Sequence, residues 1–117
     1  MNLCPVMASE DRFAADVARI DAIKAGEFED AKILAARCVD ELVMADVLCE
    51  EWFSKAVQIG DPALIGRLVL MARDSYVERV AARQVYGALE ADSMAVAFEE
   101  KAWHEIATHV AKMAGSI

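Results

Sequence analysis

The sequence predicts an all-α protein, a compact antiparallel bundle of about four helices in which a long second helix is central. Alanine, the best helix former, fills 23 of the 117 positions. Turn-forming residues are scarce, with five Gly and two Pro, so there is room for only a few long elements. Short connections between long helices favour antiparallel neighbours. We expect one domain over residues 1–117, with 1–8 and 114–117 flexible.

The first helix is predicted to begin at Ser9, because a serine followed by two acids suits the positive end of a helix dipole. Phe13, Val17 and Ile20 recur at helical spacing and give this helix a narrow apolar face. Gly26 is predicted to end it, since glycine is the usual residue just past a helix C-terminus.

The second helix is predicted over about 27–58. Residues there recur at alternating spacings of four and three, which is typical of a heptad seam. Its members are Ala31, Ala35, Cys38, Leu42, Ala45, Cys49, Trp52 and Ala56. Because most of them are Ala or Cys, we expect a neighbouring helix to pack closely against the seam. The two cysteines should then be buried and unreactive.

Gly60, Asp61 and Pro62 predict the end of the second helix and the start of the third, with Asp61 as N-cap and Pro62 in the first helical position. The third helix is predicted to run to about Ala91, loosened at Gly87. A fourth helix should cover about 93–113.

The predicted second helix also carries apolar residues roughly opposite its seam. Together with a neighbouring acid, the candidates for an interface are Ile33, Met44, Val47, Leu48 and Glu51. Two interpretations stay open. Either this helix is central and contacted on both sides, or its second face mediates self-association as a homodimer.

The charge of the chain is strongly acidic, with 20 acids against 12 bases and a formal net charge of −8. Such an excess argues against direct binding to nucleic acid and to an anionic membrane surface, because both are polyanions. Arg79 and Arg83, one helical turn apart, are candidates for gripping an anion. The alternative is that they pair with acids on flanking helices.

No catalytic residue, metal site or cofactor is predicted. His104 and His109 are five residues apart, so a regular helix cannot direct both at one ion, and we expect both to face solvent. Three cysteines without a pair spacing, and no signal-like or membrane-spanning run, predict a cytoplasmic protein.

These features predict a small, acidic, non-enzymatic protein-binding module, an adaptor, regulator or inhibitor of a basic partner. One version is an antagonist of the phage or mobile-element type whose acidic surface imitates nucleic acid. The competing class is an enzyme or ligand-binding bundle with an internal pocket, lined by Trp52, Tyr76, Tyr86 and Arg83. A self-assembling dimer is the third interpretation.

Overall fold

The computed structural model describes residues 5–115, and the side chains of residues 12–115. This part of the chain contains no strand, which confirms the all-α class. Its helices are α1 (Pro5–Arg37), α2 (Glu41–Val47), α3 (Glu51–Ile59), α4 (Pro62–Val85) and α5 (Ala88–Gly115). The ends predicted to be flexible fall in part outside the described residues, while 5–8 and 114–115 belong to helices.

The central helix is α4, and it starts as the sequence predicts. Gly60 adopts a left-handed conformation (φ +78°), which glycine tolerates because it has no Cβ. The Asp61 carboxylate accepts hydrogen bonds from the backbone N–H groups of Ala63 (2.9 Å) and Leu64 (3.2 Å). Pro62 occupies the first turn, where a missing N–H costs nothing. From this start, α4 contacts each of the other four helices.

An antiparallel hairpin is formed by α4 and α5, and its turn lies at Gly87. This glycine has φ +106°, a conformation that residues with side chains rarely adopt. The prediction of a third helix that continues through Gly87 to about Ala91 is therefore wrong. The glycine separates the two helices instead of loosening one of them. Farther along the hairpin, an ion pair joins the two helices, with 3.5 Å between the Arg67 Nε and Glu105 Oε2 atoms.

The main core lies where α3, α4 and α5 meet. Its buried members are Trp52, Ala56, Leu64, Leu68, Ala72, Ala102 and Ile106. The Trp52 ring contacts Phe53 and Phe98 edge to face, at centroid distances of 5.9 and 5.5 Å. Three alanines of the cluster are completely buried, so the helix backbones come close together around them.

The predicted long second helix is wrong. The long helix is the first one, and the stretch predicted as a single helix over 27–58 is divided among the end of α1, α2 and α3. Asp40 caps α2, because its carboxylate accepts a hydrogen bond from the Val43 N–H at 2.9 Å. Of the predicted seam, only the two ends are buried, and Leu42 near its middle is 82 % exposed.

The breaks around α2 have a reason in the tertiary structure. Ala35 lies against the α4 turn that contains Tyr76 and Val80, and Trp52 lines a cleft with Arg79 of the same turn. A straight helix would carry Trp52 about 26 Å beyond Ala35. The chain must therefore turn between them for Trp52 to pack in the main core beside Leu68 and Ala72 of α4.

The first part of α1 projects from the rest of the molecule. We call residues 12–27 the arm, and every one of them is exposed. Among the described side chains of α1, from residue 12 onward, the first that is partly covered is Phe28, whose ring lies 5.7 Å from that of Tyr86. Buried Ala31 and Ala35 follow, at the interface with α4. We call the rest of the described molecule, from Phe28 onward, the body.

The arm makes the protein elongated, with dimensions of 77 × 35 × 19 Å. Its radius of gyration is 20.8 Å, against about 13 Å for a compact chain of this length. The predicted compact bundle is therefore confirmed only in part, because the body packs around α4 while the arm projects from it. The predicted start of the first helix at Ser9 and its end at Gly26 are wrong. Gly26 has no positive φ, and helix-forming residues flank it on both sides. None of the five helices is long and apolar enough to cross a lipid bilayer.

Candidate functional site

The five predicted interface residues are divided among three helices and do not lie on one long helix. Ile33 lies exposed on α1, which packs on α4, whereas Met44 and Val47 are half-buried on α2. Val47 and Leu48 pack against the main core. Glu51 is exposed in the first turn of α3. Their common role in binding stays a prediction, but the single helix face on which it was based does not exist.

Val47 faces a cleft of about 270 Å³ between the α2–α3 connection and α5. Asp46, Glu50 and Glu99 line this cleft together with the apolar side chains of Val47 and Val96. We call it the acidic cleft. Three carboxylates beside an apolar surface give a site that favours a group with both a cation and a hydrocarbon portion.

Arg79 also lines the acidic cleft, and its guanidinium Nε donates to the Ser75 carbonyl oxygen at 3.4 Å. The surrounding carboxylates disfavour a bound anion there, because like charges repel it. Arg83, one turn farther along α4, is exposed. The anion-binding role of this pair stays a prediction, and in the acidic cleft Arg79 has acids as neighbours, Asp46 on α2, Glu50 just before α3 and Glu99 on α5.

A row of apolar residues along α5 was missed in the sequence. The outer row consists of Leu89, Val96, Trp103 and Val110, at strict intervals of seven residues. Seven residues make almost two helical turns, so the four side chains follow one line about 31 Å long. All four are exposed, by fractions from 38 % at Trp103 to 87 % at Leu89.

The outer row runs beside the face that α5 turns toward the core. Ala91, Ala102 and Ile106 form that buried face, and the row lies roughly 120° around the helix from the two alanines and about 70° from Ile106. Val96 belongs both to the row and to the lining of the acidic cleft. The two features are therefore parts of one surface, which we call the α5 surface.

The charges on the first half of α5 all have the same sign. Every charged residue between Ala88 and Glu100 is an acid. They are Glu90, Asp92, Glu99 and Glu100. Bases appear only later in the helix, beginning at Lys101. The α5 surface thus combines exposed apolar side chains with an acidic border at its N-terminal half.

The histidines and cysteines occupy places that differ in part from those predicted. His104 is exposed as expected, but the side chain of His109 is only 16 % exposed. The His109 Nε2 atom lies 3.3 Å from Oδ2 of Asp61, an ion-pair distance for a protonated imidazole, in a geometry that makes no hydrogen bond. Cys38 and Cys49 are exposed, so the prediction that both are buried is wrong, because the chain breaks at both positions.

The aromatic residues considered for an internal pocket are not brought together. Trp52 packs with Phe98 in the main core, while Tyr76 and Tyr86 lie on the side of α4 that faces α1. A groove of about 390 Å³ lies between α4 and α5. It is an open depression with Met71 and Phe98 among its lining residues.

Among the residues with described side chains, no three His, Cys, Asp or Glu come together in a group that could hold a metal ion. The fold and its surface therefore define the chain as an all-α protein with exposed apolar rows on two of its helices. Comparison with protein families, characterised proteins and solved structures finds no match to this chain.

Proposed function

We propose that the protein is a non-catalytic protein-binding module whose α5 surface binds a basic, amphipathic segment of another protein. The observation that carries this proposal is the outer row, because four large apolar side chains stand exposed in one line beside a row of acids. Exposed apolar side chains that form one contiguous patch usually mark an interaction site.

The spacing of the row supports a helical partner. Side chains repeated every seven residues meet a second helix along its length, as in coiled coils and in helix-in-groove recognition. Trp103 is the row's largest side chain, and tryptophan is among the residues that most often dominate the binding energy of interfaces. The partner's apolar stripe would cover this row.

The acids on the same surface support a basic partner. Glu90, Asp92 and Glu99 stand on α5, and the acidic cleft adds Asp46 from the end of α2 and Glu50 from the α2–α3 connection. Lysine or arginine side chains that flank the partner's stripe would be attracted to these carboxylates, which also speeds the encounter of the two proteins. The open shape of the grooves supports binding of a surface segment over enclosure of a small substrate.

The proposal is tested with a fluorescently labelled synthetic helix that has leucine at the a and d positions and lysine at most others. We expect saturable binding, measured by fluorescence anisotropy, that weakens as salt is added. Glu50→Gln/Glu99→Gln should lower the affinity by about tenfold, and Trp103→Ala by a similar factor. A peptide of the same composition with its leucines scattered around the helix should bind more weakly.

The matched control is Asp74→Asn/Glu78→Gln, which changes the net charge equally but lies on α4, away from the acidic cleft. We expect this variant to bind like the wild type. Equal losses in the two double variants would show that only overall charge matters, and failure of the amphipathic peptide to bind would also overturn the proposal.

A further inference from the structure

We infer that the arm is a self-association site, and that it pairs antiparallel with the arm of a second copy of this chain. The arm is a different surface from the α5 surface, so its self-association does not depend on the proposed function. It rests on the exposed stripe of the arm, on the continuity of that stripe with the interface between α1 and α4, and on the order of charges along the arm.

The arm carries an apolar stripe that nothing in the described molecule covers. Its members are Phe13, Val17, Ile20 and Ile23. They are exposed by fractions from 39 % at Val17 to 70 % at Phe13. Large apolar side chains on a projecting helix contact water on all sides, so covering them with a partner is favourable.

The stripe continues a face that is already used for packing. At about 100° per residue, Phe13 and Val17 lie in line with Ala31 and Ala35 of the same helix. Those two alanines are buried at the interface with α4. One face of α1 is thus covered by the body in its last part and uncovered along the arm. A second helix laid against the arm would extend the existing interface.

A partner also accounts for a helix of this length outside the body. Helices without tertiary contacts are marginally stable in water, and most helices in proteins are stabilised by packing of an apolar face. The arm has that face, and the body buries none of its side chains. Pairing of two arms would supply the missing packing to both copies at once.

The charges of the arm identify the partner as a second copy. Although the whole chain has a net charge of −8, residues 12–27 hold three bases and three acids and are neutral overall. Two copies can therefore approach through their arms without the repulsion that the acidic parts of the chain would cause. A basic partner would find no net attraction at the arm and would be drawn to the acids of the body instead.

The order of those charges selects the antiparallel orientation. Along the chain the signs alternate, with the first charge positive and the last negative. The charged residues are Arg12, Asp16, Arg19, Asp21, Lys24 and Glu27. When the arm is read from its other end, the positions of the bases and of the acids are therefore exchanged. An antiparallel pair centred near Ile20 brings each base level with an acid of the partner. A parallel pair in register would bring each charged residue level with the identical residue of the partner, which has the same sign.

The same register aligns the central part of the apolar stripe with itself, while Phe13 comes level with Glu27 of the partner. With the centre near Ile20, the two Ile20 side chains meet, and Val17 comes level with Ile23 of the partner. Arg19 already forms an ion pair with Asp16 of its own helix at 3.3 Å, so these charges remain solvated and mainly set the orientation. The apolar stripe supplies the affinity, and the interface is small enough for reversible association.

The association is tested by size-exclusion chromatography with light scattering on the full chain, under reducing conditions, at about 100 μM, where a weak dimer is populated. We expect a mass of twice 12.8 kDa for the wild type. Val17→Glu/Ile20→Glu should give the mass of one chain. The control Ala15→Glu/Ala22→Glu places the same charges on the opposite side of the arm and should remain dimeric.

Circular dichroism and the fluorescence of buried Trp52 verify that the body is folded in each variant. Because the arm lies outside the core, we expect the same thermal transition of the body in both double variants. A wild type that has the mass of one chain at this concentration would overturn the inference. A control that dissociates as fully as the stripe variant would overturn it too.

The orientation is tested by disulfide cross-linking after Cys4, Cys38 and Cys49 are replaced by serine. In an antiparallel pair, Ile20→Cys should cross-link under mild oxidation, because the two thiols meet near the centre. Phe13→Cys should not, since the two sites would be about 21 Å apart, far beyond disulfide reach. Efficient cross-linking of Phe13→Cys would indicate a parallel pair and would contradict the proposed arrangement.

Discussion

The arm and α4 are made of similar residues but have opposite environments. Both are rich in alanine, both carry apolar residues at helical spacing, and both contain an interior glycine, Gly26 next to the arm's end and Gly66 in α4. Around both glycines there is open space where a side chain would be. Yet α4 contacts every other helix, whereas no residue of the arm is buried.

This difference teaches that an apolar stripe specifies a helix but not its partner. The stripe of α4 that contains Leu64 and Leu68 is completely covered by α3 and α5. The stripe of the arm, which contains Phe13 and Ile20, has no such neighbour within the described chain. The stability of the body should therefore depend on α4, and the arm should matter mainly for association. Three pairs of matched variants test this comparison.

The largest difference is expected for truncation of a large apolar side chain. Leu68→Ala should lower the free energy of unfolding by about 2–5 kcal/mol, because it leaves a cavity at a completely buried site. Phe13→Ala should change it by less than about 0.5 kcal/mol at concentrations where the chain is monomeric. Urea denaturation followed by tryptophan fluorescence measures both values.

The control for this pair is Leu70→Ala, in the same helix as Leu68 but 65 % exposed. It should resemble the arm variant. If Phe13→Ala destabilised the monomer as much as Leu68→Ala, the arm would be packed against the body and the comparison would fail.

An intermediate difference is expected where a small residue is enlarged. Ala102→Leu should lower the free energy of unfolding by about 1–3 kcal/mol, because Ala102 is completely buried where α5 meets the core. Ala22→Leu on the arm should have almost no effect, since leucine is nearly as good a helix former and the site is exposed. Thermal unfolding in a calorimeter compares the two. A rise in the transition temperature for Ala102→Leu would show that the core there is not closely packed.

The smallest difference is expected for glycine to alanine. Gly66→Ala should raise the free energy of unfolding by about 0.5–1 kcal/mol, because the helix has room for the added methyl group. Gly26→Ala should leave global unfolding unchanged and slow amide hydrogen exchange in the arm. Exchange measured by mass spectrometry separates these effects. Equal stabilisation of the whole protein by both variants would show that arm and body unfold together.

The parts of the fold that the sequence predicts correctly depend on local chemistry. The sequence Gly-Asp-Pro predicts a turn at the glycine, an N-cap at the aspartate and a first helical residue at the proline. The structure has these three features at Gly60, Asp61 and Pro62. Gly87 was predicted only to loosen the third helix, whereas in the structure it separates α4 from α5. Such signals act within a few residues, so no distant contact can easily change them.

The long second helix was predicted wrongly because helix propensity alone cannot show where a chain must reverse. The segment over 27–58 has no interior proline or glycine, and its breaks let Ala35 lie beside Tyr76 and Val80 of α4 while Trp52 packs in the main core with Leu68 and Ala72. One local sign was available. Asp40 followed by Glu41 is a helix-start pattern, and it caps α2 in the structure.

The candidate site was also not predictable from local sequence patterns alone. The sevenfold spacing of Leu89, Val96 and Trp103 can be read from the sequence, but α5 also has an apolar face with Phe98 and Ile106. Periodicity does not tell which of two faces turns inward. The acidic cleft was even less accessible, because its residues come from the α2–α3 connection and from α5, about fifty positions apart in the chain.

By itself, the sequence determined that this protein is helical and where α4 begins, because propensity and caps are properties of neighbouring residues. The tertiary structure alone decided that α4 is the centre, that the predicted second helix is divided, and that the arm and the outer row remain uncovered. These features depend on which apolar face finds a partner. Packing minimises the exposed apolar area of the whole chain, so the sequence of one segment does not determine which of its faces is buried.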